Sequence, residues 1–300
     1  MSHYMKIALV AILSAALLLS LVPNYNSFAD KPDSVGKPVS VIIEDIKEPK
    51  KIQLPDGRIL EKRVHVFPNE NAAKPDGNGG GPPEGKGKGG GDKGSTCYAE
   101  MAKGAKWKSG LGESYVVDDS FSGLASGVAL AGIQSSVSVW ESEITSGTNV
   151  FGSGSEGTVD VVGIGEYVNN VNEVAFADLG DGGTIAVTIS WGIWGGPPQG
   201  REIVEWDQIY NTNLDLKDAS GNVIKSISWG NAGSTDENNL GDTSTMDFEN
   251  IAVHELGHSA GLDHSGTDCT AESMYAYATA GETKKRTLEA GDVAGINSLY

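Results

Sequence analysis

Leu130, Ile133, Val137 and Trp140 recur at helical spacing and lay an apolar stripe along residues 125–142, which predicts an amphipathic helix. Residues 247–258 and 288–300 predict two further helices. Short β-type runs predict strands over residues 115–117, 159–162, 173–179, 184–191 and 202–210, the last two parted by Gly195-Gly196-Pro197-Pro198. Closer to the N-terminus, residues 39–43 and 51–67 read as strand-forming, the latter around a Pro55-Asp56-Gly57 turn. Strands and helices mix without strict alternation. The fold class is therefore α+β, a mixed twisted sheet carrying a helix over residues 247–258 and a C-terminal helix.

Two stretches lie outside this pattern. Lys6, an apolar run over residues 7–21, a break at Pro23-Asn24 and the small-residue end Ser27-Phe28-Ala29 make residues 1–29 a secretory signal. The run is shorter than the roughly 20 apolar residues a membrane span needs. The remaining chain holds no such span and is expected to be secreted. Residues 77–94 contain ten glycines in eighteen positions, too little apolar area to offset the entropy of ordering, so residues 77–96 read as a flexible linker. The organisation that follows is a signal over 1–29, a pro-segment or small appended β module over 30–76, the linker over 77–96, and a main domain over 97–300.

Composition narrows the function. Of 300 residues, 39% are hydrophobic and 21% charged, enough to bury a core, and the net charge is −18. From residue 97 onward, 9 basic residues face 29 acidic ones. A polyanion of this kind lacks the basic footprint that nucleic-acid binding requires, which excludes that class. Gly152-Ser153-Gly154-Ser155-Glu156-Gly157 fits a dinucleotide-binding pattern, but no helix follows to receive a phosphate, so it carries no such function.

The chemistry is concentrated in His254-Glu255-Leu256-Gly257-His258-Ser259-Ala260-Gly261-Leu262-Asp263-His264, which holds three of the chain's five histidines. His254 and His258 stand at i and i+4, so on a helix both imidazoles share one face and can bind one zinc ion. Gly261 can end the helix in a left-handed conformation and bring His264 round as a third ligand. Three protein ligands leave a fourth position for water, the catalytic arrangement, with Glu255 beside it as general base. His65, in Val64-His65-Val66, reads as an ordinary strand residue. Asp178 with Asp181, Asp215 with Asp218, and Asp236 with Glu237 are candidate calcium ligands, or equally a solvated acidic surface.

The motif, with Ser265 after the third histidine and a later Met274, resembles the matrixin branch of the metzincin zinc proteases, over roughly residues 97–300. The resemblance implies a metzincin-like zincin domain with the first two histidines on an active-site helix, and a methionine turn at Met274 beneath the metal. It further implies that Thr184, Ile185, Ala186, Val187 and Thr188 belong to the edge strand that pairs with substrate. The chain departs from the family's animal members in three places. Val187 stands where a structural-zinc histidine would be, and no cysteine lies between residues 30 and 96 to cap the metal. Tyr275-Ala276-Tyr277-Ala278 replaces the usual Tyr-Pro-x-Tyr beside the S1′ specificity pocket.

The expected function is a secreted, monomeric zinc endopeptidase acting on a protein or peptide. The substrate would lie antiparallel to residues 184–191, and Glu255 would take a proton from the attacking water and return one to the leaving amine. The alternative is a non-catalytic exported binding or surface-layer protein that keeps the zinc fold. Cys97 and Cys269 are expected to form one disulfide tying the domain's start to the loop between His264 and Met274, the competing arrangement being a Cys97 thiolate on the metal.

Overall fold

The computed structural model describes residues 39–41, 43–70, 97–108, 111–180, 182–218, 220–233 and 241–300. The signal segment 1–29, the linker 77–96, Asp181, Asp236 and Glu237 lie outside these residues. Among those described, no helix is long and apolar enough to cross a membrane.

The strands are β1 (Lys51–Gln53), β2 (Ile59–Pro68), β3 (Ala99–Glu100), β4 (Leu111–Val117), β5 (Asn149–Glu156), β6 (Asn172–Ala177), β7 (Thr184–Ile193), β8 (Glu202–Asn211), β9 (Leu216–Lys217), β10 (Val223–Lys225), β11 (Ser228–Gly230), β12 (Thr245–Asp247) and β13 (Leu262–Asp263). The helices are α1 (Ile43–Lys47), α2 (Val128–Glu141), α3 (Phe248–Ser259) and α4 (Ala290–Leu299). A seven-stranded sheet runs β1-β2-β7-β8-β6-β4-β5. Strand β4 pairs in parallel with β5 and β6, and β6 with β8, whereas β7 is antiparallel to both β8 and β2. The expected mixed α+β architecture is present.

Helices α2 and α3 lie on one face of the sheet and enclose the main core, in which Trp140, Trp206, Tyr210, Phe176 and Phe248 are buried. The opposite face carries Val187, Ile189, Ile209 and Ala175 with Val161 and Ile164 over them.

Three local expectations are corrected. Residues 159–162 form loop and the start of a turn rather than strand, because the Asp118 carboxylate accepts from the Val159 N–H (2.9 Å) and Gly163 N–H closes on Asp160 O (2.9 Å). Val159 and Val161 are apolar because they cover the sheet, not because they extend it, and Val162 is exposed. The strand that does form, β5, is rich in serine and glycine. At Gly154 a Cβ would stand 2.2 Å from the Tyr115 ring, so glycine is what lets β5 pair with β4 there. Of the expected strand over residues 39–43, the described residues form one bridge, Ser40 to Asp178, and Ile43 already begins α1.

The third correction bears on function. Strand β7 was expected at the sheet's edge, but β1 and β2 lie outside it, and β2 pairs with β7 from Glu61 opposite Gly192 to Pro68 opposite Thr184.

Candidate active site

Helix α3 carries the first two histidines because its start is fixed from outside. Asp247 caps it by accepting the Asn250 N–H (2.9 Å) and is itself held by the Ala232 N–H (2.8 Å) and Arg286 Nε (2.8 Å). Every residue from Asn250 to Ser259 is buried, so the helix is apolar on most sides and its polar groups must find partners inside. Gly261 then takes φ 109°, and a Cβ there would meet Ala105 O at 2.9 Å. Both constraints select glycine, and the turn returns the chain through β13 to His264.

The three imidazoles converge. Their metal-facing nitrogens lie within 4.8 Å of one another, and they form the one His/Cys/Asp/Glu cluster of three or more with ligand geometry among the described residues. His254 Nδ1 lies 2.6 Å from Ser273 O and His258 Nδ1 2.8 Å from Leu262 O. Donation to these carbonyls fixes the tautomer with Nε2 as the free acceptor, the form a metal needs. His258 Nε2 is 3.3 Å from His264 Nε2, and His254 Nε2 is buried without a partner. Burial holds His254 and His258 well below the usual imidazole pKa, and burial with the neighbouring His65 brings His264 down to about 4. Three neutral imidazoles around an orphaned acceptor fit a zinc ion.

Glu255 is fully buried beside this cluster. Thr188 of β7 donates its hydroxyl to Glu255 Oε2, and Oε1 has no partner. Burial pushes this carboxyl up to about 8, against the pull of the Thr188 hydrogen bond. Thr188 was expected to serve through its backbone alone, and its side chain is the finding here.

Met274 is completely buried and presses on the helix at Gly257, where a Cβ would come within 2.2 Å of its sulfur. Asp292, at the start of α4, holds the turn by accepting from Ser273 N (2.7 Å) and Met274 N (3.1 Å), and Ser265 N donates to Met274 O (2.9 Å). Cys97 and Cys269 are bonded, as expected, and β3 pairs with β13 on the same side of the site. The calcium candidates that can be described are engaged locally: Asp178 accepts from Gly180 N (2.8 Å), Asp215 from Ile227 N (3.0 Å) and Asp218 from Ser220 N (2.9 Å).

His65 is the plain correction. Its ring stacks on His258 at 4.3 Å, and its Nε2 lies 3.5 Å from Asp263 Oδ1. Two positions along β2, Phe67 stacks on His254 at 3.8 Å. Both rings come from outside the main domain as read from the sequence, and nothing in Val64-His65-Val66-Phe67 marks them as site residues. Lys285 was missed as well. It is wholly buried, reaches Tyr275 O at 3.1 Å and Glu282 at 3.7 Å, and burial brings its ammonium down to about 8.

A family model described as Matrixin matches residues 131–300. Among curated proteins, "Metalloendoproteinase 5-MMP" of Arabidopsis thaliana is 38% identical over 58 residues, and "Metalloendoproteinase 2-MMP" of the same plant is 46% identical over 59 residues. Each matched stretch is 19% of this chain and spans 15% of the relative's length.

Proposed function

The chain belongs to the matrixin family, and from that premise we propose that it is a secreted zinc-dependent endopeptidase whose catalytic domain is residues 97–300. The observation that carries the reading is the convergence of His254, His258 and His264, all neutral, beside a buried Glu255. These three histidines would hold the zinc. Zinc, when bound, supplies a Lewis acid for the scissile carbonyl and acidifies a water.

The chain's own groups do the rest. Glu255 takes the proton from that water and passes one to the leaving amine. Thr188 keeps one carboxylate oxygen occupied, so that Oε1 is the oxygen left to exchange protons. Met274 and Asp292 keep the floor of the site in place, Met274 by packing on Gly257 and Asp292 by accepting from the backbone N–H groups of Ser273 and Met274. The substrate chain adds to β7 by backbone hydrogen bonds in the place that β2 takes in this structure, so Thr184, Ile185, Ala186, Val187 and Thr188 hold it in register once β2 is displaced. Residues 1–29 direct export, and the enzyme acts as a monomer on a protein or peptide.

The test is casein hydrolysis with and without chelator, beside Glu255→Gln. The variant is expected to keep one zinc per chain and lose hydrolysis at least a hundredfold. The reading fails if no form of the protein, processed or not, shows chelator-sensitive cleavage, or if Glu255→Gln cleaves within tenfold of the parent.

A further inference from the structure

The groove above the histidines is filled by the chain itself. Strand β2 pairs antiparallel with β7 on one side. On the other side β1 pairs with residues 59–61, and at the far end Asn69 bridges to Ala278 and Glu70 N donates to Ala278 O (3.0 Å), so residues 59–70 run along β7 with their last two residues held by the loop after Met274. The direction along β7 is the one proposed for a substrate. His65 and Phe67 alternate toward the site, opposite Thr188 and Ala186, while Val64 and Val66 point to the other face of the sheet. The Phe67 ring is 1% exposed, lies face to face with His254 (3.8 Å, 13° between planes), and has the Lys285 ammonium 5.7 Å from its centre. Lys285 in turn is anchored on Tyr275 O and Glu282.

We infer that residues 59–70 occupy the groove as an intramolecular stand-in for a peptide substrate, and that the pocket holding Phe67, with Lys285 as its specificity-determining residue, selects an aromatic side chain. The inference rests on the proposed peptidase reading and adds to it a preference and a built-in competitor. A desolvated ammonium over a ring face favours a ring above an aliphatic group of equal size. With Glu282 already facing Lys285, an acidic side chain gains little by displacing the ring. The pocket therefore distinguishes phenyl and phenol rings from leucine, and leucine from alanine by size.

Peptide binding to the full chain, with every form carrying Glu255→Gln, tests this without turnover. The probe is a fluorescent peptide with the sequence of residues 61–70, its binding followed by anisotropy. Wild type is expected to bind it weakly because the groove is filled. His65→Ala/Phe67→Ala, with the resident strand's anchors removed, is expected to bind it at least tenfold more tightly. Phe67→Leu, apolar and close in size, guards against a misfolded alanine variant and is expected to fall between the two. On the open variant, replacing the probe's phenylalanine by alanine should cost more than tenfold, and by tyrosine less than threefold. Adding Lys285→Met to that variant should narrow the preference for phenylalanine over leucine by roughly five- to tenfold.

Equal binding by wild type and both Phe67 variants overturns the resident competitor. A phenylalanine-to-leucine preference unchanged by Lys285→Met overturns the pocket's assignment. Because no hydrolysis is read, binding as expected from a protein that never cleaves casein would leave this inference standing and sink the peptidase reading. Cleavage that depends on Glu255, with no aromatic preference in binding, would do the reverse.

Discussion

Asp247 is the residue on which the placement of α3 turns. Its carboxylate is 1% exposed and accepts from Asn250 N, Ala232 N and two nitrogens of Arg286. Asp247→Ala removes an N-cap, which costs about 1 kcal/mol. It strands the buried Ala232 N–H, which costs about 1–3 kcal/mol. It also leaves Arg286 without its anion. A fully buried broken pair costs about 3–5 kcal/mol, but the Arg286 side chain keeps 22% exposure and recovers part of that in water. Neighbouring losses do not add in full, so the total is about 4 kcal/mol. For a domain near 200 residues that is a fall in Tm of about 8–16 °C. Asp247→Asn keeps the cap, since asparagine is as good an N-cap as aspartate, and should cost about 1–2 kcal/mol. Thermal and urea unfolding of the metal-free chain read both. If the two variants are equal, or if Asp247→Ala costs under 1 kcal/mol, the carboxylate is not what fixes the helix.

Two further outcomes are expected. Glu205 is completely buried, and that burial pushes its carboxyl up to about 8 against the N–H groups of Asn170 and Asn169. A raised pKa means the folded state favours the protonated form, so the associated stability is complete below the ordinary glutamate pKa and is lost as pH rises through about 8. Glu205→Gln, neutral throughout, should match wild type within about 1 kcal/mol at pH 5 and exceed it by about 2–4 kcal/mol at pH 9 in urea unfolding, and identical pH slopes would refute the assignment. For the disulfide, Cys97→Ser/Cys269→Ser opens a closure spanning 172 residues and should cost up to about 5 kcal/mol, less whatever the β3–β13 pairing retains, with a loss under 1 kcal/mol counting against a stabilising bridge.

What the sequence disclosed was local. The i, i+4 histidines, the left-handed Gly261, the stripe of α2 and the strongly β-type β7 and β8 each carry their signal within one or two turns of chain. Strand β5 did not, because Gly154 is there for the ring of Tyr115 on another strand, and glycine reads locally as loop. Val159 and Val161 misled for the converse reason, since their apolarity answers to the face they cover. Thr188, Asp247 and Lys285 are polar residues whose partners lie 67, 39 and 10 positions away, a relation no spacing rule encodes. Only the Glu289–Asp292 capping box at the start of α4 offered a readable hint that Asp292 was spoken for, though not that it would also hold Met274.

His65 shows how the long-range part is enforced. Its place against His258 follows less from its own contacts than from the register of β2, and that register is set on the sheet's other face. Val64 and Val66 pack there with the cluster of Val187, Ile189 and Ile209. A slip of one residue would turn both valines toward α3 and put His65 and Phe67 over that apolar face, giving up two half-buried valine contacts and taking the imidazole away from Asp263 and His258. The far face thus specifies what reaches the histidines. The alternation Val-His-Val-Phe, which looked like an ordinary strand, is a strand whose two faces are both engaged.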